Sequence, residues 1–446
     1  MHAFSNEVTD RVSTSTATPA AAEPKATTGV WPVRLNVLGI TAWGVGGLTG
    51  EGLALGGGVL CLLIWVWQRL RAVGLAWIKW PHAVLLAYAA YGLVSSVWAP
   101  QPLASGAPWS SLHVLLFPVA VLAWRQLSAQ WQGRIALTLL AVAMASTVLA
   151  LVQHHTLLDY GWLVDILRPT QRVQESNPIG GYMAGGLHFH RLKYAHTLVL
   201  LGFGMLPALS WACRRQAWLW VGGGLLLPVF GTALLFTATK AAWGALFGGI
   251  VLLIAAKFLG ERQRWVVAGG CVAGATLVPL VLPRVAAWPP DRIFAWETAQ
   301  ALFARAPLVG IGYGGYAPAA LALHDGPHPE HPLLHLDAHS LVWQILVERG
   351  ILGFALFVIM LVLYARLLGR LAAPQLAVIG AFFMLGIVHN LAFHPVVVAA
   401  AALAVAMGGS RSADDSPALL TPWSPEAASS GSRSADDSPA LRNCAR

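Results

Sequence analysis

Charged residues are scarce in this sequence: Asp, Glu, Lys and Arg make up 11% of its 446 residues, whereas 57% are hydrophobic. A soluble globular domain carries about 25% charged residues, so the composition excludes a protein that folds in water. Hydrophobic runs such as HAVLLAYAAYGLVSSVW at 82–98 approach the length of about 20 residues with which a helix crosses a bilayer. Because only helices and closed barrels satisfy their backbone hydrogen bonds in lipid, the sequence predicts an all-α polytopic membrane protein.

Closely spaced cysteines are also lacking, since the chain has four cysteines and no CxxC pair. A disulfide framework is therefore not expected. The net charge of +9 comes largely from basic clusters between hydrophobic runs, which is typical of cytoplasmic loops. No basic stretch is interleaved with aromatic residues, so we expect membrane lipids as partners and no nucleic acid. The four cysteines are Cys61, Cys213, Cys271 and Cys444.

The hydrophobic pattern predicts about 12 transmembrane helices. Basic residues collect in alternate connections, which places both termini in the cytoplasm. The segment 339–349, of about eleven residues, is too short to cross. We expect it to form a half-depth helix on the outer side, which Gly350 turns into the next span. The predicted spans lie near 35–49, 52–69, 82–99, 109–125, 134–153, 194–213, 217–237, 240–257, 264–283, 351–370, 374–393 and 395–408.

The domain organisation follows from these spans. A membrane domain at 31–408 is flanked by two polar segments that we expect to be disordered cytoplasmic tails. The tail at 1–30 lacks an apolar core and is not expected to be a signal peptide. The tail at 409–446 repeats GSRSADDSPAL. Two long outward-facing segments, about 154–193 and 284–350, are predicted to carry function, because functional residues concentrate in loops on a rigid scaffold.

Histidines and acidic residues crowd into HDGPHPEHPLLHLDAH at 324–339. A His-rich tract can bind a transition metal, but the prolines in this one argue against ligands presented on one helical face. His339 differs from the other histidines because it opens an amphipathic helix. Asp337, two residues earlier, is placed either to orient the imidazole or to cap the helix. His339 is thus a candidate for chemistry, with a merely hydrogen-bonded histidine as the alternative.

Three basic residues, Arg191, Lys240 and Arg292, are predicted near the outer surface, against the usual charge bias. Together they suit an anionic headgroup such as a diphosphate, because guanidinium groups pair with phosphate in a bidentate manner. Alternatively, each extends separately to a lipid phosphate. His190 lies beside Arg191. His389, near the outer end of the penultimate span, is placed either to approach the same cavity or to serve a structural role.

Two stretches of this region resemble the signature of the O-antigen ligase/polymerase superfamily. They are RIFAWETAQALFARAPLVGIGYGGY at 292–316 and DAHSLVWQILVERGILG at 337–353. The stretch TATKAAWGAL resembles a turn motif of the same superfamily. In that motif Arg is usual at the position that Lys240 occupies in this sequence. The resemblance implies a GT-C-type glycosyltransferase of the bacterial inner membrane that works at the periplasmic face. It implies an inverting, metal-independent reaction without a cofactor, in which a glycan leaves undecaprenyl diphosphate.

The resemblance also implies roles for individual residues. His339 takes the position of the essential histidine of the family, which assists the incoming hydroxyl. The donor diphosphate would be bound by basic residues at matching positions, and other residues near His339 would support the site. Ser340 stands where Asn is commoner. The diphosphate-binding candidates are Arg191, Arg292 and Lys240, and the supporting candidates are Asp337, Ser340, His190 and His389.

Within the superfamily, the residues favour a ligase whose acceptor is lipid A–core oligosaccharide. Polymerases often carry paired Arg-x10-Gly motifs in their periplasmic loops, and the outward-facing arginines here are not followed by glycine at that spacing. A protein-directed oligosaccharyltransferase often adds a soluble periplasmic domain, which we do not expect here. Polymerase and oligosaccharyltransferase remain alternatives. A non-enzymatic transporter of a lipid-linked glycan is a further alternative, although charged residues in mid-membrane and symmetric halves are not evident.

Overall fold

The structure, a computed structural model, describes residues 30–49, 51–73, 80–100, 113, 115–156, 176–188, 190–215, 230–281, 290–326, 336–391 and 394–409. Both predicted tails lie outside this part of the chain except at their inner boundary residues. So do 217–229 of one predicted span, 157–175 of the first outward-facing segment, and 327–335 of the His-rich tract. Within the described ranges the regular elements are helices, and no strand occurs.

Most of the helices coincide with predicted spans, although their ends differ by several residues. Residues 230–237 are also helical. The helices are α1 Val30–Thr49, α2 Glu51–Val73, α3 Trp80–Ser95, α4 Leu116–Arg125, α5 Ala129–His155, α6 Arg191–Arg215, α7 Lys240–Ala255, α8 Glu261–Val281, α9 Pro290–Arg305, α10 Tyr316–Leu323, α11 Leu341–Leu368, α12 Ala373–Val388 and α13 Pro395–Gly408.

Four described helices are long and apolar enough to cross a membrane: Ala129–His155, Arg191–Ser210, Glu261–Val281 and Leu341–Leu368. Other apolar helices, such as Ala373–Val388, are shorter than such a crossing needs. The finding supports a helical membrane protein, and the number of twelve spans stays a prediction.

The helix α13 forms the centre of the packing. Its sequence from Val396 to Gly408 is rich in alanine and is buried throughout. Small side chains let helix backbones approach closely, and α13 packs against α6 and α4 on two of its sides. The Trp43 indole of α1 donates a hydrogen bond to the Ala399 carbonyl at 2.9 Å. The helix therefore holds together elements from both halves of the chain.

One end of the helical bundle gathers arginines, and we call it the basic end, defined by Arg125, Arg264 and Arg370. The Arg125 guanidinium donates to the Leu368 carbonyl at 3.1 Å. The Arg264 guanidinium donates to the Leu371 carbonyl, also at 3.1 Å. Arg370 lies 3.6 Å from a carboxylate oxygen of the first residue of α8. These contacts join the ends of α4 and α11 to the start of α8.

The other end gathers histidines, and we call it the histidine end, defined by His188, His339 and His389. The imidazole of His188 lies 2.8 Å from the Gly47 carbonyl, near the end of α1. His339 precedes α11, and His389 directly follows α12. Since α12 begins at the basic end and finishes at His389, the two ends lie on opposite sides of the bundle.

The helix α11 is broken at Gly350, where the backbone adopts φ 64° and ψ −169°. A Cβ at this position would lie 2.3 Å from the Leu308 carbonyl oxygen, so the close approach of a second chain segment requires glycine. The backbone nitrogen of Ile311 donates to Val347 at 2.9 Å, on the near side of the break. The segment 307–312, which we call the glycine loop, pairs with α11 on both sides of the break. The first part of α11, up to Arg349, is therefore a short buried helix that the glycine loop holds at an angle to the second part.

Candidate functional site

His339 lies directly before α11 in a left-handed backbone conformation, with φ 46°. Such a conformation is unusual for a residue other than glycine and occurs preferentially at functional sites. The Asp337 carboxylate stabilises it by accepting a hydrogen bond from the His339 backbone nitrogen at 2.6 Å. The same oxygen lies 3.3 Å from Nδ1 of the imidazole. Asp337 therefore orients the ring rather than capping α11, and this arrangement leaves Nε2 on the other side of the ring.

Arg292 belongs to the same group of charges. Its guanidinium interacts electrostatically with Asp337, and its charge also acts on His339. Burial lowers the pKa of His339 below its ordinary value; Asp337 opposes that shift, and Arg292 reinforces it. Burial likewise lowers the pKa of Arg292, against the effect of Asp337 and Asp291. At neutral pH the imidazole is therefore mainly neutral, which is the form that accepts a proton.

His389 joins this group from the end of α12. It is buried, and it interacts electrostatically with both Arg292 and His339. Its ring centroid lies 4.8 Å from that of His196 on α6. Within the described part of the chain, neither ring nitrogen of His196 has a hydrogen-bond partner, and the same is true of the Ser340 hydroxyl and the Asn390 amide. A patch of polar side chains thus adjoins His339, whereas the rest of the bundle interior is mostly apolar.

Arg191 and Lys240 are the first residues of α6 and α7, two helices that contact each other. The Arg191 guanidinium donates to the Thr237 carbonyl at 3.1 Å. Lys240 begins α7 three positions later, after a turn in which Ala238 has φ 51°. Lys240 is exposed. Because the positive end of the helix dipole lies at the start of α7, the dipole and the ammonium group both favour an anion there.

The pair Arg191–Lys240 is connected to His339 through neighbouring histidines. His190, which precedes Arg191, interacts electrostatically with His196. His196 contacts His389, and His389 interacts with the Arg292–His339 group. The histidine end thus contains all the predicted site residues. The tightest association is that of Arg292, Asp337 and His339, and the link to Arg191 and Lys240 is indirect.

An apolar cavity of about 650 Å³ lies between α3, α4, α8, α11, α12 and α13. Leu341 and Ile345, on the first part of α11, belong to its lining, so the cavity begins close to the residue that follows Ser340. The opposite face of this helical segment, with Val342 and Trp343, packs against α9 and α10. The cavity and the charged group therefore adjoin the same short helix.

Sequence reasoning missed the buried residues Glu348 and Arg349. The Arg349 guanidinium lies between two aromatic rings, 4.4 Å from the Tyr88 centroid and 4.3 Å from the Tyr313 centroid. The Glu348 carboxylate accepts a hydrogen bond from the Tyr316 backbone nitrogen at 3.4 Å. The signal was present, because a Glu-Arg pair in an apolar segment is costly to bury and indicates a specific role.

The His-rich tract is described only in part. His324 lies 2.9 Å from the Thr298 hydroxyl, and its ring packs at a tilt against Phe294, with 4.7 Å between the ring centroids. In the described part of the chain, no group of three or more His, Cys, Asp or Glu side chains is placed to hold a metal ion. His328, His331 and His335 lie outside that part, so the metal-binding alternative concerns residues the structure leaves undescribed.

Comparison of the sequence with protein-family models and with curated proteins finds no match. The function of the site is therefore inferred from its geometry and from the motif resemblance of the two stretches at 292–316 and 337–353.

Proposed function

We propose that the protein is a glycosyltransferase of the O-antigen ligase type. It transfers a glycan from undecaprenyl diphosphate to a sugar hydroxyl of lipid A–core oligosaccharide, at the periplasmic face of the bacterial inner membrane. The observation that carries the proposal is the grouping of His339, Asp337 and Arg292, with the imidazole 3.3 Å from the carboxylate. The proposal includes a GT-C-type architecture with twelve membrane crossings and both termini in the cytoplasm.

The reaction is a direct displacement at the anomeric carbon. A sugar hydroxyl is a weak nucleophile, so His339 accepts its proton at Nε2 while the oxygen forms a bond to C1. Asp337 holds the Nδ1 side of the ring, which fixes the orientation of the base. The C1–oxygen bond to the diphosphate breaks with its electron pair, and undecaprenyl diphosphate departs. Attack from the opposite side inverts the configuration at C1.

Fixed positive charges stabilise the negative charge of the leaving diphosphate. Arg292 is nearest to His339, and Arg191 and Lys240 extend the cationic surface towards the start of α7. Preorganised cations stabilise developing negative charge without reorganisation during the reaction. The proposed reaction uses no divalent ion. The apolar cavity of about 650 Å³ beside α11 suits part of a polyprenyl chain.

A reconstituted assay tests the proposal. Purified protein in lipid nanodiscs receives a glycan on undecaprenyl diphosphate together with one of three acceptors: lipid A–core, a second donor molecule, or a pilin-type protein. Glycan attached to lipid A–core is the expected result. Attachment to the second donor would identify a polymerase, and attachment to the protein an oligosaccharyltransferase. His324→Ala serves as a control, because this histidine is exposed and contacts Thr298 and Phe294 of α9 rather than His339 or Asp337.

Absence of transfer to every acceptor would contradict the proposed function. In that case the same preparation in sealed vesicles distinguishes the transporter alternative. Movement of intact donor from one leaflet to the other, without cleavage of the diphosphate bond, would identify a transporter.

A further inference from the structure

Tyr316 and Glu348 connect α9, which carries Arg292, to α11. Glu348 accepts a hydrogen bond at Oε1 from the Tyr316 backbone nitrogen, at 3.4 Å. The Tyr316 hydroxyl donates to the Ala295 carbonyl at 3.1 Å. Ala295 lies on α9, one helical turn after Arg292. The two hydrogen bonds therefore form a continuous link from α11, through the first residue of α10, to the part of α9 that bears the guanidinium.

The link is buried in a small core of its own. Tyr316 is fully buried and packs in a cluster with Trp296 of α9 and with Val342 and Trp343 of α11. Burial raises the pKa of the Tyr316 hydroxyl, so it remains a protonated donor. A buried donor that loses its partner is costly, since water cannot replace the bond readily. The cluster thus favours one relative position of α9 and α11.

The segment that carries His339 is anchored on the same helix. The Gln344 side-chain oxygen, one turn into α11, accepts a hydrogen bond from the Ala338 backbone nitrogen at 2.8 Å. Ala338 is fully buried and belongs to the same cluster as Tyr316. The positions of the His339 imidazole and of the Arg292 guanidinium are therefore both fixed relative to the short first part of α11.

We propose that Tyr316 and Glu348 are positioning residues that set the distance between the Arg292 guanidinium and the His339 imidazole. This inference rests on the proposed function, in which Arg292 binds the donor diphosphate. Misplacement of a binding group by about 1 Å is enough to weaken an active site. Because Arg292 would hold the diphosphate both before and during the reaction, loosening the link reduces donor binding more than it slows the chemical step.

The variant Tyr316→Phe removes the hydroxyl and keeps the ring. We expect the donor KM to rise about fivefold, which corresponds to the loss of one buried hydrogen bond. The value of kcat should stay within about twofold of the wild-type value. A general folding defect would have the opposite signature, because less active protein lowers kcat and leaves KM unchanged. Tyr194→Phe is the matched control: Tyr194 is equally buried, and its hydroxyl contacts Thr147 at 3.2 Å rather than α9.

Two variants of Glu348 separate the hydrogen bond from the charge. Glu348→Gln retains an oxygen that accepts from the Tyr316 backbone, so the donor KM should stay within about twofold of the wild-type value. Glu348→Ala removes the acceptor, and its KM should rise as in Tyr316→Phe. Combining Glu348→Ala with Tyr316→Phe should add little, because both changes break the same link. An active Tyr316→Phe enzyme with wild-type donor KM would overturn the proposal.

Hydrogen–deuterium exchange gives a readout that does not depend on transfer. Tyr316→Phe should accelerate exchange in the N-terminal half of α9, and Tyr194→Phe should not. Faster exchange in α9 supports the link even when the wild-type protein transfers no glycan, a result that would count against the proposed function alone. Unchanged exchange in α9 of Tyr316→Phe would count against the link.

Discussion

At the scale of single residues, His339 is the position at which backbone strain and local charge meet. A side chain at φ 46° costs on the order of 1 kcal/mol compared with glycine. The Asp337 carboxylate offsets part of this cost by binding the backbone nitrogen. Proteins retain such backbone strain at positions where it orients a functional group. Replacing His339 by glycine should therefore relieve the strain and lower the activity.

The first prediction concerns His339→Gly. Glycine adopts the left-handed conformation freely, so the thermal unfolding temperature should be equal to or higher than that of the wild type. Glycan transfer should fall by about 10²- to 10⁴-fold, the usual contribution of a general base. His339→Ala is the comparison, because it loses the imidazole and keeps the strain. Full transfer activity in the glycine variant would contradict a role for His339 in the reaction.

The second prediction concerns the pH dependence of kcat/KM. Burial holds the pKa of His339 below its ordinary value, so activity should be constant near neutral pH and fall only when acid protonates the ring. Asp337 raises this pKa, and Asp337→Asn keeps an oxygen for the His339 backbone nitrogen. The acid limb of the profile should therefore move to lower pH in Asp337→Asn. Arg292 lowers the pKa, so the limb should move to higher pH in Arg292→Gln.

The two pKa shifts have opposite signs and are measured with the same assay. A general effect of mutation would not move the acid limb in opposite directions in the two variants. A limb that moves in one direction in both variants, or in neither, would show that His339 is not the group that titrates. The donor KM has to be determined at each pH, because Arg292→Gln is also expected to weaken donor binding.

At the scale of elements, hydrophobic runs predicted the helices well and their ends less well. Gly350 interrupts an apolar pattern, and the backbone departs from helical geometry at this residue. The predicted span 374–393 ends earlier, at Val388, because the backbone becomes extended at the polar residue His389. The pairing of the glycine loop with α11 could not be predicted, since hydrogen bonds between distant segments leave no periodic signal in the sequence.

The third prediction concerns Gly310→Ala in this loop. Gly310 has φ 74°, and a Cβ there would lie 2.4 Å from the Arg349 backbone nitrogen. The methyl group has no room beside the rigid backbone of α11, so we expect the free energy of unfolding to fall by about 1–3 kcal/mol. Gly244→Ala is the control, because a Cβ at this exposed helical position meets no atom within 4 Å. Equal thermal stability of the two variants would contradict the close approach.

At the scale of the whole molecule, the candidate site is assembled from segments that are distant in sequence. The motif resemblance predicted His339, Arg292 and their neighbours, because these residues lie within two short stretches. It did not predict His196 on α6, which meets His389 at 4.8 Å. Nor did it assign Glu348, whose partner Tyr316 belongs to another element. Local patterns identify residue types suited to chemistry, whereas the packing of helices decides which of them meet.

The last prediction concerns the orientation of the molecule in a membrane. The basic end carries Arg125, Arg264 and Arg370, and positive charge near membrane spans favours the cytoplasm. Lys240 lies at the histidine end, beside the Thr237–Arg191 contact. The side chains of Lys240 and Arg370 are both exposed, so a cysteine introduced at either position should react with a thiol reagent that has access to it.

The measurement uses a background in which the four native cysteines are replaced, and a membrane-impermeant maleimide added to spheroplasts. Lys240→Cys should be labelled in intact spheroplasts, because the proposed site faces the periplasm. Arg370→Cys should be labelled only after the membrane is permeabilised. Labelling of both from the same side would contradict the separation of the two ends across a membrane. Labelling in the reverse order would place His339 and Arg292 in the cytoplasm, where a periplasmic transfer to lipid A–core is impossible.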